Sequence, residues 1–73
     1  MATTFQEDMI MALMQECYGK IGIAKMNINV MLKNPTGVGD HSNYVQSIKE
    51  QAKIIAEAKG LLEVLDKDFY DQE

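Results

Sequence analysis

The sequence predicts an all-α fold, an antiparallel two-helix hairpin that assembles as a homodimeric four-helix bundle. Three observations predict it. Two long segments repeat their apolar residues in steps of three and four, and one break holding the sole proline separates them. The third is size: 73 residues at 8.2 kDa cannot bury a sizeable core without a metal, disulfides or a partner subunit. With 47% apolar and 25% charged residues the chain has the balance of a folded domain and not of a disordered tail.

Helix 1 is expected over about residues 4–33. Its start signal is Thr4 with Glu7 three positions on, a capping box, and Thr3 with Gln6 offers an equivalent pair one residue earlier. Asp8 adds negative charge where the helix dipole favours it. Pro35 disfavours helical geometry at Asn34, so the helix should stop near Lys33. Between these ends Ile10, Met14, Cys17, Ile21, Ala24, Ile28 and Met31 follow one another in alternating steps of four and three. That is a heptad seam suited to packing within the chain. A second apolar set, Ile23, Met26 and Val30, lies on the opposite side.

Residues 34–42 are expected to form the connection. Pro35, Gly37 and Gly39 supply the turn, and Asp40 or Ser42 caps the second helix. Helix 2 should run over about residues 43–69 with Ile48, Ala52, Ile55, Ala58, Leu62, Leu65 and Phe69 as its packing stripe, Ile54 and Leu61 widening one edge. The steps at Ala52, Ile55 and Ala58 break strict heptad order. Lys49, Glu50, Lys53, Glu57, Gly60, Glu63 and Lys67 form the opposite, wet face. The tail from Asp68 through Asp71 to Glu73 places acids at a helix C-terminus, where the dipole disfavours them, so fraying is expected after about Leu65 to Phe69.

A helical pair alone gives each helix one neighbour. The second face of helix 1 is the place for another, which predicts a two-fold dimer with helix 1 inside, its interface at Gly19, Gly22, Ile23, Met26 and Val30. The mid-helix glycines admit three readings: close helix approach across that interface, a kink, or drift tolerated on a helix held by packing.

The inventory of reactive groups is short. There is one histidine, one cysteine, and no tryptophan or arginine. His41 falls at the loop end, and Cys17 lies roughly 24 Å down helix 1 from Lys33, so the two cannot form a dyad within one chain. Cys17 sits on the seam, which suits an inert buried thiol. Gly37-Val38-Gly39 before a helix start has the glycines of a phosphate loop, but Asp40 stands where the lysine would be needed and would repel phosphate. Asp40 and His41 lack further ligands at metal spacing. The six methionines, all within the first 31 residues, have the spacing of core and interface filling. No enzyme activity, metal or cofactor is therefore expected.

Charge points the same way. The net charge of −4 sits in the second half, and all seven cations are lysines, which removes the bidentate arginine contacts of nucleic-acid readers. No nucleic-acid partner is expected. Lys20, Lys25 and Lys33 interrupt the apolar first half, so no membrane span is expected either. A single cysteine and the lack of a signal-peptide pattern predict a cytoplasmic location.

The stretch from Asn34 to Ser42, taken with Met9-Ile10-Met11-Ala12-Leu13 before it and residues 56–69 after it, resembles short uncharacterised proteins of T4-like tailed phages of marine cyanobacteria. The resemblance implies an accessory protein of an infected cell or virion, and it transfers no catalytic or binding residue. The function expected is that of a self-associating interaction protein, a phage accessory or assembly factor. The alternative is a small acidic adaptor or inhibitor that captures a host protein with the apolar face of helix 1, steered by the acids of helix 2.

Overall fold

The computed structural model describes residues 4–33 and 41–70. Among these the chain is two helices and a terminal turn: α1 over Phe5–Leu32, α2 over His41–Val64, and a π-helical segment, α3, over Leu65–Tyr70. There is no strand among the described residues.

Thr4 is the N-cap of α1. Its hydroxyl accepts from the Glu7 amide at 3.0 Å and the Glu7 carboxylate accepts from the Thr4 amide at 2.8 Å, so two of the donors a helix start leaves without partners are satisfied. Lys33 closes the other end, its N–H donating to the Asn29 carbonyl at 3.0 Å. Pro35, Gly37, Gly39 and Asp40, with the connection they were expected to form, lie outside the described residues. Ser42 is the second residue of α2, inside the helix rather than before it, which excludes it as the N-cap.

α1 and α2 run antiparallel. Asn27 meets Gln51, the cluster of Cys17 and Ile21 packs on Ala58, and Tyr70 reaches the region of Met11 and Met14, so numbers fall along one helix as they rise along the other. The buried residues are Cys17, Ile21, Ala24, Ala58 and Leu65, with Ile55 and Leu62 packed against the centre of the group. Two of these five are alanines and no large side chain is fully enclosed. The molecule is a rod of 54 × 19 × 14 Å with a radius of gyration of 16.6 Å, against about 11 Å for a compact domain of this length.

The α1 seam occupies the inner face: Cys17, Ile21 and Ala24 are buried and Ile10, Met14, Ile28 and Met31 half-buried. On α2 the stripe differs from the expected one at two places. Ala52 is exposed, and the half-buried residue is Gln51, whose side-chain carbonyl accepts from the Asn27 amide at 3.1 Å. With Gln51 in place, Tyr44, Ile48, Gln51, Ile55, Ala58, Leu62 and Leu65 alternate in steps of four and three without a break. A polar residue holds the position because a polar partner sits opposite it.

The second difference is at the C-terminal end. Phe69 stands four residues after Leu65, where an α-helix would return it to the seam, but it is 61% exposed. The chain turns π-helical at Leu65, each turn then takes an extra residue, and Tyr70 arrives over α1 instead. Of the acids expected to fray this end, Asp68 lies on that wider turn and Asp71 and Glu73 lie outside the described residues; on the same turn the Lys67 ammonium donates to Glu63 at 3.0 Å. That hydrogen bond and the Glu63 charge raise the Lys67 pKa.

Candidate functional site

The surface with most to offer is the side of α1 turned away from α2. In a helix of 3.6 residues per turn, a residue two positions beyond a seam residue lies about 200° around the axis. Ile23, Met26 and Val30 stand in that relation to Ile21, Ala24 and Ile28, and they are 60%, 58% and 60% exposed. The structure extends this set beyond what the sequence reading included. Phe5, Met9, Ala12, Glu16, Gly19, Ile23, Met26 and Val30 step by four and three alternately along the entire helix, and every one of them is exposed. α1 thus carries two heptad rows on opposite sides. Only one is covered by α2.

Glu16 is the single charged member of the outer row, and its carboxylate lies 3.5 Å from the Lys20 ammonium one turn on. That neighbour balances its charge without drawing it into the core. A Cβ placed on Gly19 or Gly22 would meet nothing within 4 Å, so no close approach inside the chain requires either glycine. Each weakens α1 by up to about 1 kcal/mol relative to alanine.

The outer row continues into a groove. Ile23 and Ala24 of α1 and Ile54, Ala58 and Leu61 of α2 line a depression of about 290 Å³ whose polar edge is formed by Lys20, Gln51 and Glu57. Ile54 and Leu61 were expected at the edge of the packing stripe; they are 38% and 48% exposed and form one wall of this groove. A smaller cleft of about 140 Å³ lies between Tyr70 and Met11, Met14, Gln15 and Tyr18.

Cys17 is buried in the hairpin core as a free thiol, and among the described residues no three His, Cys, Asp or Glu side chains converge on a position that could hold a metal ion. No helix among the described residues is long and apolar enough to cross a membrane. What the outer row can do is bury itself against another apolar helix. No family model, no curated protein and no solved structure matches this chain.

Proposed function

We propose that the protein is a non-enzymatic, self-associating interaction module. Two hairpins join through the outer face of α1 into a two-fold assembly of four helices with the α1 pair at its centre. The observation that carries this reading is the outer row, a complete heptad repeat of mostly apolar residues left in water over the length of a 28-residue helix. Surface area supports it. The chain exposes 5789 Å², whereas folded monomers of 8.2 kDa expose about 4,500 Å². That excess goes with the 54 × 19 × 14 Å rod shape, and the exposed outer row of α1 is part of it.

In the setting that the phage resemblance implies, such a module serves as an accessory or assembly factor of the infected cell. Sedimentation equilibrium between ~1 and ~100 μM tests the self-association, with a mass near twice 8.2 kDa expected at the upper concentrations. Proteomics of purified virions from a phage encoding the chain tests the setting, and absence from the particle would confine the role to the cell.

The groove beside Ile54 and Leu61 favours a second reading, an adaptor that seats one helix of a host protein there. Salt separates the two, because capture steered by the −4 charge slows markedly between low and physiological ionic strength and apolar self-assembly does not.

A further inference from the structure

The outer row of α1 has an internal symmetry that specifies how a second copy sits on it. Turned end for end against itself, the row places Phe5 opposite the partner's Val30, Met9 opposite the partner's Met26, Ala12 opposite the partner's Ile23 and Glu16 opposite the partner's Gly19. All eight members find a counterpart. We infer that the dimer is an antiparallel pair of α1 helices in this register, with the two-fold axis between Cys17 and Tyr18. The inference rests on the self-association proposed above and adds its polarity and register.

Size and charge select this arrangement over its competitors. Each layer sets a larger side chain against a smaller or flexible one, as an interdigitating seam requires. At the centre the Glu16 stem lies across the space that the partner's Gly19 leaves, while the carboxylate stays beside Lys20 at the edge. This gives Gly19 the close neighbour that its own chain does not supply. A parallel pair would instead stack Glu16 on Glu16, Gly19 on Gly19 and Ala12 on Ala12, joining like charges in one layer to voids in two others. An antiparallel pair slipped by one heptad would leave either Phe5 and Met9 or Met26 and Val30 without a counterpart. The pairing therefore has one register that covers the row, and Glu16 is the residue that penalises the parallel polarity.

Disulfide trapping tests the register. Met9→Cys and Met26→Cys are made separately in full-length chains of distinguishable mass, with wild-type protein as the control for the buried Cys17. A disulfide needs the two Cα atoms within about 7 Å. In the inferred pair Met9 meets the partner's Met26, while the two Met9 residues stand roughly 25 Å apart along the axis. Mild oxidation of the mixed variants should give the crossed dimer, on the order of tenfold above either variant alone. Ala12→Cys with Ile23→Cys repeats the test one layer inward should the first pair disturb the helix, which circular dichroism reports. Crosslinking of Met9→Cys to itself would mean a parallel pair and would overturn the inference. A chain of dimeric mass that crosslinks in neither mixture uses another face, which overturns the register and leaves self-association standing. Wild-type protein that stays monomeric at ~100 μM removes both.

Discussion

Gly19 and Gly60 make a matched pair for asking what a mid-helix glycine is for. Both sit in helix interiors with open space where a Cβ would be, so within one chain alanine should stabilise each by roughly 0.5–1 kcal/mol. Gly60 lies on the wet face of α2 and Gly19 on the outer row of α1. Chemical denaturation should show that gain for Gly60→Ala and, if the inferred pair forms, a smaller gain or a loss for Gly19→Ala, whose methyl would then meet the partner's Glu16. Equal gains would mean that Gly19 is tolerated drift. The Asn27–Gln51 hydrogen bond is the other informative residue-level contact, half-buried and spanning the two helices. A double-mutant cycle with alanine at both positions should give a coupling of about 1 kcal/mol, near the typical net value of such a bond. A coupling near zero would mean that Gln51 holds the seam by its stem alone.

At the scale of elements, α1 was legible from the sequence because its inner seam is unbroken by polar residues and its start carries a reciprocal cap. Replacing Thr4 with alanine should lower stability by about 1 kcal/mol, read as a shift in the denaturation midpoint. α2 was legible as a helix, but two of its seam positions were not. Hydrophobic spacing selects Ala52 over Gln51 because polarity is a poor sign of a seam, and the partner that makes Gln51 one, Asn27, comes from 24 residues away. The same spacing puts Phe69 on the stripe because a change of helical period leaves no mark in it. Leu65 and Phe69 now separate these accounts: Leu65→Ala, at 7% exposure, should cost about 2–3 kcal/mol, and Phe69→Ala, well exposed, under ~0.5 kcal/mol. The outer row was only half legible, since Glu16 and Gly19 interrupt it and separate Phe5, Met9 and Ala12 from the apolar set Ile23, Met26 and Val30. On the π turn, the raised Lys67 pKa means that the pair with Glu63 contributes fully below the unfolded lysine value. That contribution fades only as pH climbs through the folded one, so the small stabilisation this exposed pair gives the C-terminal turn should hold at neutral and mildly alkaline pH and be lost only above the ordinary lysine range.

The whole molecule is a rod whose thin core and long uncovered row belong together. A hairpin that buries little beyond Cys17, Ile21, Ala24, Ala58 and Leu65 has a thin core of its own, and in the proposed dimer the outer face of α1 would add to it, tying folding to association. Met26 lies in the C-terminal half of that face, is 58% exposed and is not a member of the buried cluster, so aspartate there addresses assembly without opening the hairpin core. The most direct measurement is light-scattering mass at ~100 μM for wild type and Met26→Asp, taken with circular dichroism of the same samples. The account expects a dimeric mass for wild type and, for Met26→Asp, a shift toward the monomer with a lower melting temperature. A monomeric wild type, or a Met26→Asp protein with the mass and melting of wild type, would contradict it.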